Sequence, residues 1–178
     1  DAAFAQGMVS APDTGQQTAQ YASIAQASEQ EIVTVQRLLR RLEYLKTEQL
    51  SHKMDESTAA ALDAHFAAVG GADQTVNATQ AIRSLFTEAW KKEGWGTGSV
   101  DGQDLVVDKD KVRGAQQVLK RLGFEPGPVD GVFGPATFAA IESFQEDAGM
   151  KVRGLLTQDT FHNITRALKF ADKPPQTI

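Results

Sequence analysis

The residues best suited to chemistry in this sequence are three histidines, a scatter of carboxylates and one loop dense in proline and glycine. His52, His65 and His162 never fall at i, i+4 spacing, and no His-Glu-x-x-His run occurs, so the ligand set of a zinc hydrolase is missing. The chain has no Cys, which removes cysteine nucleophiles, disulfides and thiolate metal sites together and leaves the redox compartment open. No Gly-x-Ser-x-Gly elbow is present. Asp101, Asp104, Asp108 and Asp110 form an acidic patch but lack the glycine and closing Glu of a Ca²⁺ loop, so they read as solvated. Glu142 and Asp147 read as the solvated side of a helix, and small helical units offer no deep cleft to shift a carboxylate pKa. The expectation is no enzyme: no catalytic residues, no metal ligands and no cofactor.

That leaves the loop, Pro126 to Pro135, with Val129-Asp130-Gly131-Val132-Phe133-Gly134-Pro135 at its end. Asp130-Gly131 favours a tight turn. Pro135 suits the first position of a helix with Gly134 as its cap, and the free N–H groups of that helix would point into the same loop.

The elements that must position this loop follow from apolar spacing. Val112, Ala115, Leu119 and Leu122 lie on one helical face that ends at Gly123, and Thr137, Ala140, Ile141, Phe144 and Ala148 form a second face that ends at Gly149. Thr157 caps a third helix facing inward with Phe161, Ile164 and Leu168. Upstream, Ile32, Val35, Leu39 and Leu42 predict a helix over 31–45, with Arg37, Arg40 and Arg41 on its solvated flank. Asp55 caps a second helix stopped by Gly70-Gly71, and a third spans about 75–92 and stops at Gly94. Gly94 to Asp104 carries four glycines and reads as a linker flanked by Trp90 and Trp95, which could dock the two halves together.

The two halves repeat. Ile32, Val35, Gln36, Leu39 and Leu42 map onto Val112, Ala115, Gln116, Leu119 and Leu122 at an offset of 80; Asp55, Thr58, Ala61 and Leu62 map onto Gly134, Thr137, Ala140 and Ile141 at 79. The first copy has Leu50-Ser51-His52-Lys53 where the second has its Gly/Pro loop, and His65 where the second has Phe144. The expectation is that scaffold survives in copy one and turn chemistry does not. The fold class is therefore all-α, two tandem three-helix bundles. The units are a flexible or partly helical segment at 1–30, a degenerate bundle at 31–93, a Gly/Asp-rich linker at 94–110, a second bundle at 111–172 and a tail at 173–178.

Val112 to about Leu168 resembles the peptidoglycan-binding domain 1 family. The matching positions are Val112, Ala115-Gln116, Leu119, Leu122-Gly123-Phe124, Gly127, Val129-Asp130-Gly131, Phe133-Gly134-Pro135, Thr137, Ala140-Ile141, Phe144-Gln145, Gly149 and Gly154-Leu155. Ala115 stands where the family has Leu, and Val152-Arg153-Gly154 where it often has Val-Asp-Gly. The resemblance implies a bundle that attaches proteins to bacterial cell-wall peptidoglycan, often beside a hydrolase domain. In that setting Asp130, Gly131 and Gly134 would present helix-terminal donors to a stem-peptide carboxylate. Phe133 would offer an apolar face, Gln145 would line a groove, Arg153 would grip a carboxylate, and Gln116 would either line the same groove or tie the loop to the first helix.

The implied partner is peptidoglycan or a muropeptide, with a protein partner possible through copy one. A protein–protein adaptor, or the targeting region of a longer wall hydrolase, are the alternatives. A net charge of −5 and a pI near 5.2 argue against nucleic acid, and no run approaches the roughly 20 apolar residues that span a bilayer. The expected location is periplasmic or extracellular, on the wall. The small-residue start at Asp1, without Met, fits either a mature end left by signal-peptide removal or an internal boundary.

Overall fold

The computed structural model describes residues 20–71, 75–100 and 102–171. Its elements are α1 (Ala22–Ala25), α2 (Glu29–Arg41), α3 (Glu56–Val69), α4 (Ala78–Glu93), a 3₁₀ turn (Trp95–Thr97), β1 (Ser99–Val100), β2 (Gln103–Asp104), α5 (Lys109–Arg121), α6 (Pro135–Asp147) and α7 (Gln158–Ala171). Among the described residues the fold is all-α apart from the short antiparallel β1–β2 ribbon, in which Ser99 pairs Asp104 and Val100 pairs Gln103, and an isolated bridge between Leu105 and Thr157.

Side chains at the helix starts explain why the helices begin where they do. Ser28 and Glu31 form a reciprocal capping box on α2, and Asn77 and Gln80 do the same on α4. Asp55 and Asp108 each accept the N3 amide of α3 and α5. Thr157 caps α7 by accepting the Thr160 N–H at 3.2 Å. Gly70 and Gly94 end α3 and α4 in left-handed conformation.

Each copy buries its predicted faces. Copy one packs Val35, Leu38, Leu39, Leu62, Ala81 and Leu85; copy two packs Ala115, Leu119, Ile141 and Ile164. The core of copy one reaches across the junction to take in Phe138 and Leu155 of copy two, and Phe133 packs against both cores.

In the segment expected to be flexible or partly helical, Ala22–Ala25 form α1 and Tyr21 and Ile24 are fully buried; residues 1–19 lie outside the described set. Three expectations change here. The stretch read as a linker is built into the fold. Trp95 is 1 % exposed, and the Val106 N–H donates to the Leu156 carbonyl at 2.7 Å, tying the segment to the loop before α7.

Arg37 and Arg41 do not sit on a solvated flank. Arg41 makes a bidentate pair with Glu93 at 2.6 Å for both bonds, lies over the Trp95 ring at 4.9 Å and donates to the Arg153 carbonyl at 3.0 Å. Arg37 reaches α6, with Glu146 at 2.8 Å and Glu142 at 3.9 Å.

Glu142 is not solvated either. It is 3 % exposed between the copies, one of its oxygens has no hydrogen-bond partner, and desolvation pushes its carboxyl up to about 8 despite Arg37 and Arg41. Two small units placed side by side create a buried surface that neither has alone, and periodicity within one helix cannot reveal it.

Candidate functional site

The loop between α5 and α6 is shaped from its centre by Gln116. Its amide group donates to the Val132 carbonyl at 3.0 Å and the Thr137 hydroxyl at 3.0 Å, with a longer contact to Asp130 Oδ1 at 3.4 Å. Its carbonyl oxygen accepts the Gly131 N–H at 2.9 Å. Thr137 in turn donates to the Pro126 carbonyl at 3.0 Å. Gln116 is buried and its bonding groups are taken by the loop, so it positions the turn and does not line a groove.

Asp130 points outward from this frame. Its Oδ1 accepts the Val132 N–H at 2.8 Å, a local Asx turn. That amide, the Gln116 amide and the nearby Lys109 charge hold its carboxyl below the usual range. Gly131 has φ of 79°, and a β-carbon there would fall 2.6 Å from Lys109 Cγ, so glycine is required on both conformational and steric grounds. Gly134 is the extended N-cap of α6 and Pro135 its first residue.

Gln145 does for the α6–α7 loop what Gln116 does for the α5–α6 loop. It accepts the Arg153 and Gly154 N–H groups at 2.7 and 2.8 Å, and donates to the Thr160 hydroxyl at 3.1 Å. It too is buried, and it borders a small hollow together with Arg153, Lys151 and Asp159, so it shapes the loop and lines that hollow at once.

The same device appears a third time, in copy one. Gln36 donates to the Ser51 hydroxyl (2.8 Å), the Lys53 carbonyl (2.9 Å) and the Thr58 hydroxyl (2.9 Å), and accepts the His52 N–H at 3.2 Å. His52 has φ of 57°, taking the left-handed place that Gly131 holds in copy two. The loop of copy one therefore keeps the turn without the glycine, against the expectation that its turn chemistry was lost. In all three loops the left-handed residue precedes the threonine by six positions: His52 and Thr58, Gly131 and Thr137, Gly154 and Thr160.

Gly131, Val132 and Phe133 form one wall of an apolar cleft of about 360 Å³, whose other walls are Trp90, the buried Trp95, and Leu105 to Val107. Val132 is 57 % exposed at its mouth. Phe133 is only half-buried, and its ring lies 6.1 Å from Phe86 and 6.2 Å from Trp90, so it joins the copies as well as facing the cleft. Trp95 stacks on Phe138 at 5.4 Å and its Nε1–H donates to Glu93, which makes it a docking residue, as the sequence leads us to expect. Sequence reasoning missed that Trp90 of copy one and Val107 of the connector complete this cleft. The only sequence signal was the position of Trp90 beside the glycine-rich segment.

Arg153 is not brought to this cleft. It borders a separate, smaller hollow of about 120 Å³ with Gln145, Lys151, Asp159 and Gln103. No group of His, Asp and Glu among the described residues could hold a metal, and among them no helix is long and apolar enough to cross a membrane.

Residues 108–162 match the family described as “Putative peptidoglycan binding domain”. The chain is 32 % identical over 100 residues to “Putative OxPP cycle protein OpcA” of Synechocystis sp., covering 53 % of this chain and 20 % of that protein. It is 40 % identical over 68 residues to a spore cortex-lytic enzyme of Oceanobacillus iheyensis, covering 38 % of this chain and 24 % of that enzyme. A spore cortex-lytic enzyme of Bacillus cereus is 44 % identical over 55 residues, 31 % of this chain and 21 % of the enzyme. The chain thus spans about a fifth to a quarter of the length of these relatives. No solved structure matches it significantly.

Proposed function

We propose, from a second copy that is a peptidoglycan-binding domain by its sequence, that this chain is a wall-binding protein or targeting module that holds itself or a partner on peptidoglycan and does not cut it. The observation that carries the reading is the family match over 108–162, which contains the whole α5–α6 loop and the α6 start. The segment shared with two spore cortex-lytic enzymes supports it.

The ligand surface would be the outer side of that loop and the mouth of the cleft beside it. Asp130, Gly131 and Gly134 present polar backbone and one carboxylate, while Phe133, Val132 and Trp90 offer apolar faces to an alanine methyl or a sugar ring. Gln116 and Gln145 would act by shaping the loops, and Arg153 would meet only a ligand long enough to reach the second hollow. With peptidoglycan as its partner the protein would work in the periplasm or outside the cell, associated with the wall.

Pull-down with insoluble peptidoglycan sacculi tests the site. Asp130→Ala and Trp90→Ala should each lower retention about tenfold while thermal unfolding stays cooperative. Retention equal to wild type in both variants would remove the cleft mouth as the binding surface.

A further inference from the structure

Copy one holds a hydrogen-bonded relay that wall binding does not use. Ser84 and Glu88 lie one turn apart on α4, and His65 on α3 bridges them: Nε2 is 2.8 Å from Ser84 Oγ and Nδ1 is 2.7 Å from Glu88 Oε2. The second Glu88 oxygen accepts the Tyr44 hydroxyl at 3.0 Å. An ionised carboxylate only accepts, so Nδ1 carries the proton and Nε2 offers its lone pair to the serine hydroxyl.

The imidazole is fully buried, wedged edge-on between Phe66 at 4.9 Å and Tyr44 at 5.5 Å. Burial pushes its pKa below the usual histidine value, against the Glu88 carboxylate, which pulls it up. The hydroxyl end is open. Ser84 and Glu88 border a surface hollow of about 460 Å³, rimmed by Gln80, Arg83, Lys91 and Val69.

From this geometry we propose a second site, beyond wall binding: Ser84 is an activated nucleophile that accepts the acyl group of short-chain carboxylic esters, with His65 as its base and Glu88 as the group that positions the base. Ser84 Oγ attacks the ester carbonyl as His65 Nε2 takes its proton. The tetrahedral adduct collapses by breaking the ester C–O bond, and the alkoxide leaves with the proton returned by His65. Water from the hollow then attacks the acyl carbonyl as His65 Nε2 takes its proton, the bond to Ser84 Oγ breaks, and the proton passes from His65 to that oxygen as the acid leaves. Ser84 lies within α4, where backbone N–H groups are spent on the helix. The developing oxyanion must therefore be met by the Arg83 and Lys91 side chains on the rim. Flexible side chains are poorer at this than fixed amides, so acylation should be detectable while turnover stays slow.

A fluorophosphonate probe incubated with the full chain at pH 7.5, followed by peptide mapping, tests the proposal. The expected result is one adduct, on Ser84, absent in Ser84→Ala and formed at least tenfold more slowly in His65→Gln. No adduct, an adduct spread over several serines, or an unchanged rate in a folded His65→Gln protein would overturn it. If His65→Gln does not fold, the wild-type adduct map together with Ser84→Ala decides the question.

Discussion

His52 carries a side chain at a backbone angle that Gly131 occupies in the other copy. A left-handed conformation costs a non-glycine residue about 1–2 kcal/mol, and the exposed His52–Glu29 pair offsets little of it. His52→Gly should raise stability by about 0.5–1 kcal/mol in urea unfolding, whereas Gly131→Ala should lower it by more than 1 kcal/mol, because a β-carbon there also meets Lys109. Glu142 predicts a pH dependence. Its folded pKa, about 8, lies above the ordinary 4.5, so the unfolded chain gives up this proton first. The stability from the protonated form is complete below pH 4.5 and is lost as pH rises through 8. Glu142→Gln should remove that slope, gaining melting temperature relative to wild type at pH 8 and not at pH 4.5. Neither residue could be judged from its own stretch of sequence. His52 looked like a lost turn because its backbone angle depends on Gln36, and Glu142 looked solvated because the helix that covers it comes from the other copy.

The recurring element is a glutamine on one helix that clamps the next loop through a left-handed residue and a threonine six positions later. Gln36→Ala and Gln116→Ala each remove the bonds the glutamine makes to a buried threonine hydroxyl, a loop carbonyl and a loop N–H, while the threonine keeps the bond it donates to Asp55 or to the Pro126 carbonyl. Each should cost about 2–4 kcal/mol in urea unfolding, and the two losses should be similar even though only copy two carries the family's loop. A loss below 1 kcal/mol for Gln36→Ala would mean that the loop of copy one stands without its clamp. Much of this level was legible. The apolar periodicity of Val112 to Leu122, the proline at α6 and the caps Asp55 and Thr157 give the helices directly. The matched pair Gln36 and Gln116 was visible at the offset of 80. Its purpose was not, since a glutamine on a helix face can meet a ligand or a backbone, and only the distance to His52 N–H or Gly131 N–H separates the two.

At the scale of the molecule, the copies are joined by an aromatic seam of Phe86, Trp90, Trp95, Phe133 and Phe138. Both tryptophans of the chain lie in it. A shared core should unfold in one step, so tryptophan fluorescence and far-UV circular dichroism should give the same melting curve. Trp95→Ala should lower stability by about 3–5 kcal/mol. A linker was the natural reading of Gly94 to Asp104, because glycines signal a break and say nothing of the tryptophan among them being buried. The central claim is that this joined pair of bundles holds to cell-wall polymer through copy two. Sedimenting the full chain with purified peptidoglycan sacculi tests it most directly. The protein should pellet with the sacculi and be released by soluble muropeptides, whereas protein that stays in the supernatant while remaining folded would contradict wall binding.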